Sequence, residues 1–315
     1  MKLQTQISIS KERATIDYSS KVLLMGSCFT ENIGEKLSYY KFDVLVNPFG
    51  ILFHPVAIEK IITRAINRDF FTEADIFYHN EQWHCFEVHS VLDASDKDEF
   101  LSDLNTRLKQ LSNYIQIASH IVFTYGTAWV YREIASDTIV ANCHKIPQKK
   151  FLKELLTVEE VSASIENTIA LLKSENPSVQ SIHTISPVRH LKDGFIENTQ
   201  SKAHLIVGVH GVIEPRNTTY YFPSYEIMMD ELRDYRFYKE DMLHPNTTAI
   251  NYIWKKFKEG WVASETESIQ KEIEAIQTGL QHRPFNPESQ AHLEFLESLQ
   301  RKIITLQAKF PHLKF

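Results

Sequence analysis

Two features of this 315-residue chain predict an α/β fold, a flavodoxin-like three-layer sandwich around a five-stranded parallel sheet. Short apolar runs such as Val22-Leu23-Leu24-Met25 and Ile121-Val122-Phe123 recur without polar alternation, as expected of strands buried on both faces. Between them lie stretches with apolar residues at helical spacing. Strands that alternate with helices imply a parallel sheet joined by right-handed crossovers.

The elements follow in order. Residues 22–25 read as the first strand, and Ile33, Leu37 and Tyr40 at i, i+4, i+7 mark one face of a helix. A second strand over 42–46 ends at the turn Asn47-Pro48-Phe49-Gly50. Residues 55–66 form a helix with Ile58, Ile61, Ile62 and Ala65 on one side. Over 70–95 the pattern changes: Trp83, Cys85 and Glu87 alternate with His84, Phe86 and Val88, which predicts a short inserted hairpin. Its His84 and His89 either line a cleft or stand exposed on a strand.

A helix over 97–117 carries Phe100, Leu104, Leu108, Leu111 and Ile115, and the third strand, 121–125, ends at Gly126-Thr127-Ala128-Trp129. Thr157-x-x-Glu160 is a capping box that opens a helix running through Leu172. A fourth strand over 181–185 ends at Ser186-Pro187-Val188-Arg189-His190. A helix around 200–213 leads to a fifth strand, 219–222, and then to Pro223-Ser224-Tyr225-Glu226. The last core helix starts near Asn246, with Ile250, Ile253, Trp254 and Phe257 on one face.

These elements make residues 1–260 one domain. Residues 261–315 are a charged helical extension with apolar rows Ile269, Ile273, Ile276, Leu280 and Leu293, Leu296, Leu299, Ile303, Leu306. It is expected to pack on the same domain as a helical hairpin, or to help form a homodimer.

Composition narrows the function classes. A net charge of −6 leaves no basic footprint, so nucleic acid is not an expected partner. No apolar run approaches the roughly 18 residues of a membrane span, and the first residues lack the apolar core of a signal peptide. A cytoplasmic location is therefore expected. Three cysteines, Cys28, Cys85 and Cys143, are too few for a disulfide framework and have no CxxC spacing. The 14 histidines include no HExxH pair, and His183, His190, His204 and His210 lack short-range ligand spacing, so no metal is expected. No GxGxxG or Walker motif follows the first strand, and no cofactor is expected.

In an open parallel sheet the site lies at the carboxyl ends of the strands, so Ser27, residues 47–50, 126–129, 186–190 and 223–226 should converge. Ser27 stands where the first strand gives way to a helix, beside the unpaired N–H groups of the helix N-terminus, which favour negative charge. Asp241-Met242-Leu243-His244 supplies a base and a group to orient it, three residues apart and within reach of each other. That combination suits a serine hydrolase or an acyltransferase; the competing reading makes Ser27 a helix cap and His244 a surface residue. Asn142-Cys143-His144-Lys145 suggests a cysteine nucleophile, but adjacent side chains on an extended chain point to opposite faces.

Gly26-Ser27-Cys28-Phe29-Thr30 resembles the pentapeptide that names the GSCFA family, with Thr30 where the name has alanine. Asn47-Pro48-Phe49-Gly50, Gly126-Thr127-Ala128-Trp129, Asn142-Cys143-His144-Lys145, Ser186-Pro187-Val188-Arg189-His190 and Asp241-x-x-His244-Pro245 support the resemblance, which runs over about residues 20–258. The family looks like a branch of the SGNH (GDSL-type) hydrolase superfamily. The resemblance implies Ser27 as nucleophile, His244 as general base and then acid, and Asp241 as the group that orients it. It also implies an oxyanion hole of the Ser27 N–H, Gly50 and an asparagine after the third strand. This chain has Thr127 in that region, so its hydroxyl or N–H, backbone donors alone, or the amide of Asn47 must fill the role. Arg189 and His190 either bind an anionic or sugar group, or Arg189 pairs with the Asp230/Glu231 region. Expected substrates are O-acyl, chiefly acetyl, esters of a carbohydrate or similar alcohol. O-acyl transfer from an acyl-coenzyme A donor, and non-catalytic carbohydrate binding, are the alternatives.

Overall fold

The computed structural model describes residues 4–213, 218–311 and 313–315. Strands β1 (Lys21–Gly26) and β2 (Asp43–Val46) flank helix α1 (Cys28–Tyr39), and α2 (Pro55–Asn67) follows. A hairpin, β3 (Phe77–His79) and β4 (Gln82–His84), precedes α3 (Lys97–Ile117) and β5 (His120–Tyr125). Then come β6 (Trp129–Glu133), β7 (Thr138–Val140), β8 (Phe151–Leu155), α4 (Val158–Glu175), β9 (Gln180–Ile185), α5 (Phe195–Ile213) and β10 (Thr219–Tyr221). The chain ends with the short turn α6 (Ser224–Glu226), α7 (Thr247–Trp261), α8 (Glu267–Gln281) and α9 (Gln290–Lys309).

The main sheet has the order β10-β9-β5-β1-β2 and is parallel throughout. Among the five strands this is the 2-1-3-4-5 order of flavodoxin-like folds. Strand side chains alternate between two cores, as the period of two requires. Leu23, Met25, Ile121, Phe123 and Ile185 join α2, α3, α4 and α5 on one face. Val22, Leu24, Val122 and Ile182 join α1, α7 and the C-terminal helices on the other. Ile273 and Ile276 of α8, and Leu299, Ile303 and Leu306 of α9, belong to that second core together with Phe29 and Trp254.

Local signals set several boundaries. Thr157 caps α4 with the reciprocal Glu160 contact, and Asn246 caps α7. Four features depart from the sequence reading. The segment between β5 and α4 folds into an antiparallel sheet of order β7-β6-β8, which the sequence reading lacks. The hairpin ends at His84, and Cys85 and Val88 are both buried in the turn beyond it. The alternation over 83–88 is therefore not that of a strand. α5 starts at Phe195, earlier than its apolar pattern. Leu280, Leu293 and Leu296 remain exposed on the C-terminal helices, because only the faces carrying Ile273, Ile276, Leu299, Ile303 and Leu306 meet the core. Among the described residues no helix is long and apolar enough to cross a membrane.

Candidate active site

At the end of β1 the chain turns within one residue. Gly26 has φ of 140°, and a Cβ there would lie 2.2 Å from the Thr124 carbonyl oxygen of β5; only glycine allows that approach. The turn places Ser27 at the N-cap of α1, where its Oγ accepts from Phe29 N at 3.4 Å and the residue is fully buried.

The loops after neighbouring strands are tied to this turn. Leu52 N donates to Gly26 O at 3.0 Å, Gly126 N donates to Phe53 O at 2.8 Å, and Ser186 N donates to Tyr125 O at 2.8 Å. α5 completes the arrangement with a polar stripe on its buried side. Asn198 Oδ1 accepts from His190 N at 2.9 Å, and Ser201 Oγ accepts from Ala128 N at 2.7 Å. Lys202, 1% exposed, donates to Gly126 O at 2.7 Å and Ser186 O at 2.8 Å, under the Tyr225 ring. Burial pushes its ammonium down to about 7, against a small opposing pull from Cys28.

Lys202 lies outside the sequence-derived site. The available signal was a lysine on the same helical face as the buried Asn198, Leu205 and Val209, where charge is rarely tolerated without partners.

Asp241 and His244 meet as their spacing implies: Oδ2 accepts from Nδ1 at 2.7 Å, and Oδ1 accepts from the backbone N–H groups of Leu243 and His244 at 2.8 and 3.0 Å. Those donors hold the Asp241 carboxyl down at about 2, the two backbone N–H groups contributing most. Because Nδ1 donates to a carboxylate, Nε2 of the neutral ring is the free base. Among the described residues no hydrogen bond joins Ser27 Oγ to His244. The loop that carries the dyad meets the chain after β9 where Arg189 N donates to Leu243 O at 3.4 Å; the titration of the adjacent His190 is depressed to about 3, mainly by burial and further by Lys202 and His244. The His190 ring stands edge-on to Phe53, with Nε2 buried, unpaired and close to Gly126.

The expected oxyanion donors have other acceptors. Ser27 N donates to Thr124 O at 2.9 Å, Gly50 N to Asn47 O at 2.8 Å and Thr127 N to Phe53 O at 3.1 Å. Thr127 Oγ1 is engaged by Ser201 Oγ and Trp129 N, each at 3.0 Å. Asn47 differs. It has a left-handed backbone (φ 41°), its Oδ1 accepts from Gly26 N at 2.9 Å, and its buried Nδ2 makes no hydrogen bond of good geometry among the described residues, the Glu31 carboxyl being its loose partner. Glu31 faces that amide, and burial raises its carboxyl above the usual range.

Arg189 lays its guanidinium over Tyr238 at 5.5 Å and points Nη2 at Met229 Sδ, 3.6 Å away. Glu231 is paired with Lys256 at 2.9 Å rather than with Arg189. None of the cysteines is poised as a thiolate: burial raises Cys28, and it pushes Cys85 to about 12 and Cys143 to about 11. His144 is turned to Asp93 and the Cys85 carbonyl, which gives Cys143 no base there. His84, expected exposed or in a cleft, is 4% exposed.

A model of the GSCFA family matches residues 21–257, and one of the GSCFA domain protein, C-terminal domain, matches residues 273–315. No curated protein matches the sequence. Among solved structures the chain is similar to a Streptococcus pneumonia protein described provisionally as a platelet activating factor. The identity is 10% and the TM-score 0.41, over 76% of this chain and 83% of that one. A carbohydrate esterase family 3 structure from Talaromyces cellulolyticus has 9% identity and a TM-score of 0.37, over 80% of this chain and 99% of the other. An acetyl esterase variant with acetate ion has 9% identity and a TM-score of 0.37, over 81% and 99%.

Proposed function

The chain belongs to the GSCFA family, and from that premise we propose that it is a serine esterase working through an acyl-Ser27 intermediate. The observation that carries the reading is the Asp241–His244 pair, joined at 2.7 Å through Nδ1, with no hydrogen bond to the imidazole Nε2 among the described residues. In the proposed reaction Ser27 Oγ attacks the ester carbonyl and its proton passes to His244 Nε2. The bond to the alcohol breaks, and His244 returns the proton to the departing oxygen. Water, deprotonated by His244, then cleaves the acyl-enzyme and restores Ser27. Asp241 holds the imidazole in the required tautomer and stabilises its charged form.

Asn47 is the donor assigned to the oxyanion in this scheme, since its Nδ2 is a buried amide held only loosely, by the Glu31 carboxyl. His190 Nε2, which is unpaired, is assigned to a polar atom of the substrate. Full enclosure of Ser27 favours a short acyl group such as acetyl, carried on a carbohydrate or similar alcohol. The absence of a hydrogen bond between Ser27 and His244 in the described structure favours a second reading, a non-catalytic binding protein on the same fold.

Intact-mass spectrometry after fluorophosphonate treatment separates the two. A single adduct on the wild type, mapped to Ser27 and lost in Ser27→Ala and His244→Ala, supports the esterase. A folded wild type that stays unlabelled while a control hydrolase reacts leaves the binding protein. If labelling succeeds, supplying alcohol acceptors during ester turnover distinguishes hydrolysis from acyl transfer.

A further inference from the structure

We propose that His84, Asp93 and His144 form a binding site for one divalent transition-metal ion, with zinc the best match. The three residues come from separate places: the end of β4, the turn before α3, and the loop between β7 and β8. Their side chains are 5%, 8% and 0% exposed. One ligand atom from each lies within 4.8 Å of the others. Nothing in the proposed esterase chemistry uses them.

The hydrogen bonds around the cluster decide what it can hold. His84 Nε2 lies 2.8 Å from the His79 carbonyl oxygen, and His144 Nε2 lies 2.7 Å from that of Cys85. A carbonyl oxygen only accepts, so both Nε2 atoms carry protons. Each neutral ring therefore turns a bare Nδ1 lone pair inward. There the Nδ1 atoms meet Asp93, at 2.8 Å from His84 to Oδ2 and 3.1 Å from His144 to Oδ1. Lone pair against carboxylate is repulsive, and His84 Nδ1 and Asp93 Oδ1 are both buried with no hydrogen bond. Protonating one ring, for example His144, whose Nδ1 lies 3.3 Å from Asp93 Oδ2, gives a neutral ion pair but leaves the other Nδ1 lone pair facing the carboxylate. Protonating both would place two imidazolium ions 4.9 Å apart, centroid to centroid, against one carboxylate, burying net charge at high cost. A shared cation resolves the conflict in one step.

The outer contacts match those of metal ligands. A ligating histidine commonly donates its other N–H to a carbonyl, which fixes ring orientation and tautomer, and both rings here do so. Two imidazoles and a carboxylate suit zinc in preference to calcium or magnesium, which take oxygen ligands. Zinc bonds of about 2.1 Å place tetrahedral ligand atoms roughly 3.4 Å apart, so the 2.8 Å contact must open by about 0.6 Å and a separation near 4.8 Å must close by about 1.4 Å. The remaining coordination position falls to water. Sequence spacing could not reveal this site, because the ligands are 9 and 51 residues apart.

The ion would clip the inserted hairpin to the body of the domain. Between His84 and Asp93 the chain passes through His89, whose N–H donates to Phe49 O at 3.1 Å and whose Cβ packs against Gly50. The clip thus stands behind the Asn47–Gly50 turn.

The test uses the full chain, stripped with chelator and shown by circular dichroism to be folded. Calorimetric titration with Zn²⁺ is expected to give one site per chain. Saturating Zn²⁺ should raise the thermal midpoint by mass action. Co²⁺ should give the intense visible bands of a four- or five-coordinate site. Asp93→Asn and His144→Gln should each weaken Zn²⁺ by at least about tenfold. Three results overturn the proposal: no stoichiometric binding by folded wild type, unchanged affinity in both variants, or a faint six-coordinate Co²⁺ spectrum typical of scattered surface histidines. The spectrum and the midpoint are read on wild type, so they decide the matter even if a variant fails to fold.

Discussion

Replacing Lys202 with methionine should change how stability depends on pH more than it changes stability itself. The ammonium is fully buried and its titration lies at about 7, against 10.5 for a free lysine, chiefly through desolvation. A difference of that size corresponds to about 5 kcal/mol of burial cost when the group is charged. Methionine removes that cost but strands the Gly126 and Ser186 carbonyls that Lys202 now serves, at about 1–3 kcal/mol each. The two effects nearly cancel at pH 6. The sign of the pH dependence follows from proton counting. Between pH 7 and 10.5 the native state has released a proton that the unfolded chain still holds, so wild-type stability rises with pH across that window. From pH 6 to 9 the gain from this one group is about 3 kcal/mol. Urea unfolding of wild type and Lys202→Met at pH 6, 7.5 and 9 isolates it, because other titrating groups cancel in the difference. Parallel stability profiles for the two proteins would refute the reasoning.

Four further outcomes are expected. Gly26→Ala forces a Cβ into the Thr124 carbonyl of the adjacent strand and should cost roughly 4 kcal/mol or more, read as a fall in the urea midpoint. Glu87→Gln leaves the buried Arg64 guanidinium without its two-point carboxylate contact at 2.8 and 2.9 Å. With Asp75 still present, the loss should be about 3 kcal/mol, and a thermal midpoint equal to wild type would count against it. Asn47→Asp keeps the acceptor for Gly26 N but loses the amide donor; on the esterase reading kcat should fall by roughly 10²–10³, and the new carboxylate facing Glu31 should also lower the urea midpoint. Asp241→Asn should lower kcat by about 10⁴ while circular dichroism is unaltered; retained turnover would remove Asp241 from the mechanism.

Most of the main sheet was legible because its strands are buried on both faces and bounded by turn residues. Val22 to Met25 and Ile121 to Phe123 are continuous apolar runs, short for a buried helix. The Thr157–Glu160 capping box located a helix start to the residue. The β6-β7-β8 sheet was not legible, because its strands are half buried and mix Trp129, Arg132, Lys153 and Glu154 without a clear period. Its order depends on non-local pairing, Arg132 with Glu154 among the contacts. α5 hid its first turn for a related reason: Phe195 and Ile196 are apolar yet exposed, while Asn198, Ser201 and Lys202 are polar yet buried, so the hydrophobic pattern is inverted there.

The candidate site divides along the same line. Asp241 and His244 are three residues apart, so local chain geometry alone brings them together. The oxyanion donors depend on backbone N–H groups, and a strand neighbour far away in sequence decides whether such a group is free. Ser27 N–H is engaged by Thr124, and Thr127 N–H by Phe53, because parallel pairing of β1 with β5 and the return of the chain after β2 bring those carbonyls to the strand ends. What remains for a ligand is then defined by subtraction. Asn47 Nδ2 and His190 Nε2 are among the buried side-chain atoms near the strand ends that lack a well-formed hydrogen bond, and leaving a buried polar group unpaired costs about 1–3 kcal/mol. A bound molecule that supplies the missing partners would recover that cost. The same subtraction applied to His84 and Asp93 identifies the proposed metal site, where the missing partner is a cation rather than a substrate.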